Sequence, residues 1–501
     1  MKTVVKNFLM ITLISLVVAG CSDQFEGPDT VGTRAIQPTV NLGLPPAYGG
    51  LDPVDRYGNV TVTRNVHLYA DTTYILHNYF RIQNGFTLTI DAGVTLKGEQ
   101  IEAGEPAVDI APGTLVIQRG ARIHAAGTAS NPIVFTSNQS TPEPGDWGGI
   151  VLLGKADVNL AGYRGATPSG TDGLGFVEGL PAPSNTGRYG NGDLPPGNYN
   201  ADNSGTMQYV RIEYAGHVIG YENELNGLTL AGVGCGTTLD HLMVTHGFDD
   251  AFEFFGGCVN AKYLIASENQ DDDFDTDQGY FGKIQFGISR KTPTQNIVSY
   301  PINGFESNGD NDDDYDNNPL TNGTFSNFTV IGPVFPNSTS VLANYNSGAL
   351  IRDDSHLNIF NSIIMGYPNY QVELETPGDF DNDENDYTDG RVSMEGVTLV
   401  APGWYPFTSS QCTNVTDFTN YASYHNECWT VGIGELDDYT GISETAWNTH
   451  SDPIFTASYQ IDSDFSNDLV RGNFFTQVDF RGAFGYENDV DWHFTDGWVK
   501  W

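Results

Sequence analysis

Carboxylates gather in four places along this 501-residue chain. They are Asp249-Asp250-Glu253, then Asp271-Asp272-Asp273-Asp275-Asp277, then Asp310-Asp312-Asp313-Asp314-Asp316, and last Asp379-Asp381-Asp383-Glu384-Asp386-Asp389. Closely packed ionised carboxylates repel one another, and a bound divalent cation removes that repulsion. Calcium suits such a set, because it takes about six to eight hard oxygen ligands at about 2.3–2.6 Å. The stretch from Asp249 to Asp277 is the strongest candidate. The alternating acids of 379–383 resemble a calcium loop, yet an EF-hand would carry Glu at its twelfth position, and counting from Asp379 that residue is Gly390. The competing reading is a solvated acidic surface.

The whole chain shares this bias. Lysine and arginine total 22 against 63 acids, a formal charge of -41. Such a field attracts cations and repels phosphate backbones, which excludes nucleic acid as a partner. Aromatic and β-branched residues are too plentiful for disorder to explain the charge.

A repeat shows how the acids are positioned. Sliding Thr238 to Glu253 forward by 22 residues sets Leu242 on Leu264, Val244 on Ala266 and Phe252 on Phe274. The same shift sets Asp249 on Asp271, Asp250 on Asp272 and Glu253 on Asp275. Each unit reads as a short alternating strand, a Gly/Asn/Asp corner and another short strand. Units of this length that bury their apolar face only against neighbours stack as a solenoid. The expected fold is therefore all-β, a right-handed parallel β-helix over 51–450, with the acidic corners one above another and Phe252 and Phe274 laddered inside. Two long loop insertions are expected, at about 155–207 and 366–450, and residues 451–501 read as a C-terminal cap over the open end of the stack.

The N-terminus carries an address. Met1 to Lys6 is basic, Phe8 to Val18 is almost wholly apolar, and Val18-Ala19-Gly20-Cys21 follows. At about ten residues the apolar run is short of the ~20 that a spanning helix needs. This is a secretory signal over 1–20 that ends in a lipobox, with Cys21 as the acylated (diacylglycerol, palmitate) first residue of the mature chain. Residues 21–50, rich in Gly, Pro, Thr and Asp, read as a flexible tether. Ser22 after the cysteine points to the outer membrane, and Asp23 and Glu26 to its exterior face. An exported chain meets an oxidising compartment, so the other four cysteines should form two disulfides. Proximity favours Cys235 with Cys258 and Cys412 with Cys428, and the other two connectivities stay open.

Four stretches together carry a family resemblance: Gly145 to Lys155 (GDWGGIVLLGK), Asn226 to Thr238, Asp249 to Gly257 (DDAFEFFGG), and Arg481-Gly-Ala-Phe484. Over roughly residues 60–500 the sequence resembles a family of large outer-membrane lipoproteins of Gram-negative bacteria with a right-handed parallel β-helix, pectin-lyase-like fold. The resemblance implies that fold and a cell-surface location. It brings no catalytic residues with it.

β-Helices also host polysaccharide lyases and glycosidases. A lyase site of this kind would set calcium-holding acids beside a basic residue, for which Arg211, Lys262, Lys283 and Arg290 are the candidates. A glycosidase would need two carboxylates about 5 Å or about 6.5–9.5 Å apart, and Asp249, Asp250, Asp271 and Asp272 offer such pairs. His217, His241 and His246 have no distinctive metal spacing. Loop aromatics such as Tyr163, Tyr189, Tyr199, Tyr367, Tyr370, Trp404 and Tyr405 would serve either as a sugar platform or as ordinary packing. The sequence thus implies a calcium-stabilised surface β-helix that binds a glycan or an adhesion partner. A calcium-dependent lyase or hydrolase is the alternative, and a structural surface or filament subunit the third reading.

Overall fold

The computed structural model describes residues 39–44, 60–101, 111–160, 174–180, 187–220, 223–293, 301–309, 318–334, 341, 343–374, 392–402, 411–413, 426–431, 462–484, 492 and 497–501. Cys21 and the acidic runs 310–316 and 379–389 lie outside them. Among the described residues the chain forms one parallel sheet of 11 strands, another of 17, and two small antiparallel pairs.

The fold is a parallel β-helix, as the repeat implies. Leu242 pairs with Leu264 and Val244 with Ala266, and Phe252 pairs with Phe274 and Glu253 with Asp275. The Phe252 and Phe274 rings stack 5.3 Å apart and nearly parallel, and Phe305 continues the ladder 5.4 Å further on. All three are fully buried, and each contributes roughly 1.5–3 kcal/mol of burial.

The larger sheet holds two faces of each coil. In the strand Gly205–Glu213, the first half pairs with Arg122–Ala126 and the second with Ile133–Ser137. Between the halves Tyr209 turns the chain at φ 48. Later coils bend at the equivalent position, at His241, Tyr263, Phe286 and Asn327, all with positive φ. Positive φ is costly for residues with a β-carbon. Here the outward side chains recover part of that cost by stacking: Tyr209 on His241 and His241 on Tyr263 at 4.3 Å, then Tyr263 on Phe286 at 5.0 Å.

This bend ladder receives the C-terminal segment, whose described residues run along the flank of the stack rather than over its end. Asn361 and Asp464 exchange hydrogen bonds of 2.6 and 2.8 Å. Asn327 Nδ2 donates to the Phe480 carbonyl at 2.9 Å. Trp498, fully buried, meets Tyr209 and His241 edge-on. The bends present a continuous apolar strip, and the tryptophans and Phe480 cover it.

The first insertion covers a different face. Its hairpin, Leu174–Phe176 with Arg188–Gly190, buries Val177, Leu180 and Tyr189 against Val116, Val151, Ala231 and Phe255 on the outside of the 11-stranded sheet. Both disulfides form with the pairing that proximity favours: Cys235–Cys258 and Cys412–Cys428, with Cα atoms 4.9 and 5.9 Å apart.

Candidate metal centre

Two coil corners feed the 11-stranded sheet. Asp249 and Asp250 precede the strand Phe252–Gly257, and Asp271 and Asp272 precede Phe274–Asp277. The alternation that sends Phe252 and Phe274 inward sends Glu253 and Asp275 outward. Stacking therefore gathers carboxylates on the outer surface. Oxygens of Asp249, Asp250 and Asp271 lie within 4.8 Å of one another, and so do oxygens of Asp250, Glu253 and Asp275. Asp250 belongs to both groups. Glu306 extends the row, since it pairs with Asp275 on the next coil.

Not every acid of the stretch joins. Asp273 turns into the body of the protein and is wholly buried against Lys291, whose Nζ donates to it at 2.9 Å. Ser289 Oγ and Asn269 Nδ2 complete its partners, at 2.6 and 3.2 Å. A carboxylate so neutralised is structural, which removes it from the ligand set. Asp272 accepts from Asn303 Nδ2 at 3.3 Å, while its own amide donates to Asp250 Oδ1 at 2.9 Å. Asp277 takes the Gln278 amide at 2.5 Å. Neither belongs to the two groups above.

Two oxygens carry the chemical argument. Glu253 Oε1 and Asp275 Oδ1 are buried and have no hydrogen-bond partner among the described residues. Glu253 is only 3% exposed. A buried carboxylate oxygen without a partner is expensive, and a cation is the ligand that would satisfy it. Burial drives the Asp249, Glu253, Asp272 and Asp275 carboxyls well above the usual carboxylate range, and neighbouring carboxylates add to the shift. Burial pushes Asp250 up to about 7, although part of its side chain still faces solvent. The donor set is all hard oxygen, without nitrogen or sulfur, the kind that could hold a hard divalent cation.

The four basic residues that the sequence offers for a lyase lie elsewhere, whereas Arg352 meets the acidic row through an ion pair with Glu306. Arg211 pairs with Glu213 and donates to the carbonyls of Gly497 and Trp498. Lys262 donates to Thr476 Oγ1 at 2.8 Å, Lys283 sits over Phe475, and Arg290 lies between Glu268 and Trp501. All four face the C-terminal segment. The histidines separate too: His217 bonds the Gly145 carbonyl, His241 is paired with Asp240, and His246 faces Glu268. Of the loop aromatics, Tyr189 and Tyr367 are fully buried packing residues, while Tyr163, Trp404 and Tyr405 lie outside the described residues. Sequence reading missed Glu306, Asn303, Glu178 and Glu224 as neighbours of the acids, because each arrives on a coil or loop of different length.

The family profile described as "Pectate-lyase like beta helix domain" matches residues 58–435. The chain belongs to the pectate-lyase-like β-helix family. Within solved structures, this family member is similar to the enzymatically active domain of tailspike protein 2 of bacteriophage CBA120, at 12% identity and a TM-score of 0.25, over 70% of this chain and 48% of that one. It is also similar to a tailspike of an Acinetobacter phage, at 10% identity and a TM-score of 0.24, over 75% and 57%. The chain thus spans about half the length of the solved structures it matches. No curated protein matches it.

Proposed function

We propose that this protein is a lipid-anchored surface β-helix of the outer membrane, whose stacked acidic corners hold calcium and whose outer surface binds an extracellular glycan or adhesion partner. The calcium reading rests on one observation above the others: Glu253 Oε1 and Asp275 Oδ1 are buried, in register and without a partner among the described residues. Asp250, shared between the two carboxylate groups, would hold the ion centrally, with Asp249, Asp271, Glu253 and Asp275 around it. The ion would offset the mutual repulsion of stacked acids and rigidify the outer face. The lipid anchor rests on the Val18-Ala19-Gly20-Cys21 lipobox.

Calcium titration followed by thermal unfolding tests the reading. A gain in melting temperature that disappears in chelator supports it. An identical melting curve with and without calcium would leave the acids as surface charge.

A further inference from the structure

Three successive strands of the larger sheet, Thr238–Thr245, Asn260–Ser267 and Lys283–Arg290, lead into one corner of the stack. Gly247, Asn269 and Lys291 follow them there. Asn269, Asp273 and Lys291 have no exposure, and the three meet at one atom. Lys291 Nζ donates to Asp273 Oδ1 at 2.9 Å, and Asn269 Nδ2 donates to the same oxygen at 3.2 Å. Lys291 Nζ also donates to the main-chain carbonyls of Asn269, at 3.2 Å, and of Asp271. The far end of the carboxamide is held as well: the Gly247 amide donates to Asn269 Oδ1 at 2.8 Å. Ser289 Oγ fixes the second Asp273 oxygen at 2.6 Å. A plain ion pair needs only the lysine and the carboxylate. Here a carboxamide joins them, with its nitrogen on the carboxylate and its oxygen on a backbone N–H.

We infer that Lys291 and Asn269 become joined by an isopeptide bond between neighbouring coils, formed by the folded protein itself with Asp273 as the proton carrier. Asp273 takes a proton from the Lys291 ammonium along their hydrogen bond, which frees the amine lone pair. Nζ attacks Asn269 Cγ. The charge that develops on Oδ1 is met by the Gly247 N–H, already in place. Protonated Asp273 then passes its proton to Nδ2, the second group on the same oxygen. The Cγ–Nδ2 bond breaks, ammonia leaves, and the surplus proton on Nζ returns to Asp273. Ammonium, carboxylate and carboxamide thus become a secondary amide, ammonia and a carboxylic acid. Charge balances, and no oxidant or cofactor enters. Burial of all three side chains keeps out the water that would otherwise compete for Cγ. The bond would tie two coils just as Cys235–Cys258 ties the pair before them. It is independent of the calcium reading.

The test is tryptic digestion of the purified full chain, followed by tandem mass spectrometry. Trypsin does not cut after an acylated lysine. The expected product is the peptide 263–283 joined to the peptide that begins at Lys291. Its mass should be that of the two together less one ammonia, with fragments placing the link at Asn269. Lys291→Arg and Asp273→Ala should each give the two peptides apart. In the native protein, separate peptides with cleavage after Lys291 would overturn the inference, and this result needs no variant to fold. Loss of water in place of ammonia would overturn it too, because the link would then lie on Asp273 and the proton carrier would be consumed. A link at Asn269 that persists in Asp273→Ala would overturn the role given to Asp273.

Discussion

Glu253 and Asp275 face each other across adjacent coils in register, and each keeps one buried carboxylate oxygen without a hydrogen-bond partner among the described residues. Burial holds both carboxyls well above the usual carboxylate range, so without a cation folding must keep them protonated at a cost, whereas a cation would favour their ionised forms. Neutralising both therefore acts in opposite directions in the two conditions. Glu253→Gln with Asp275→Asn should raise the melting temperature in chelator and abolish the response to calcium. In the native protein, calcium at about a hundred times its dissociation constant should add about 2.7 kcal/mol. Calorimetric scans of both proteins in both buffers check this.

The acids also set a pH dependence. Asp250 titrates at about 7 in the folded protein, above its unfolded value near ~3.9. Between those values the folded chain holds a proton that the unfolded chain has lost. In chelator, stability should therefore fall as pH rises from about 4 to about 7. Calcium must displace these protons, so its affinity should rise across the same window. Urea unfolding at several pH values, with and without calcium, reads both trends.

Lys291 and Asp273 form an ion pair with no exposure on either side chain. Lys291→Met should destabilise the protein by about 3–5 kcal/mol, because it strands a buried carboxylate. Adding Asp273→Leu should recover part of that loss. Denaturant midpoints for the single and double variants give the comparison.

Trp498 closes the aromatic ladder from outside. Trp498→Ala should cost about 3–5 kcal/mol and increase the exposure of Tyr209 and Tyr263. Urea unfolding with tyrosine fluorescence measures both effects.

Cys21→Ser should abolish incorporation of labelled palmitate and release the protein from the membrane fraction. Retention of label would remove the lipid anchor from the account.

The stacking itself was legible in the sequence. The shift of 22 residues pairs Leu242 with Leu264 and Glu253 with Asp275, as the structure does, because two coils of equal length leave a constant offset. The offset fails at the next coil, where a longer connection puts Glu306 31 residues after its partner Asp275. A fixed period cannot find that carboxylate. Asp273 was misplaced for another reason. Its partner Lys291 is 18 residues away and wholly buried, and nothing in the local sequence marks either side chain as inward-facing. The flank docking of the described C-terminal residues had no signal in the sequence, because the strip they cover is made of bends. The positive φ at Tyr209, His241, Tyr263 and Phe286 turns aromatic side chains outward, where strand alternation gives no hint of an exposed apolar ladder. The four candidate bases were misplaced for the same reason, since all of them meet that segment.

Asp250 is the residue common to both carboxylate groups, so the most direct measurement is calcium binding to the native protein and to Asp250→Asn by isothermal titration near neutral pH. Saturable calcium binding by the native protein that is lost or greatly weakened in Asp250→Asn, with the fold intact, is the result expected. Absence of calcium binding, or equal binding by both proteins, would contradict a cation centre at these corners.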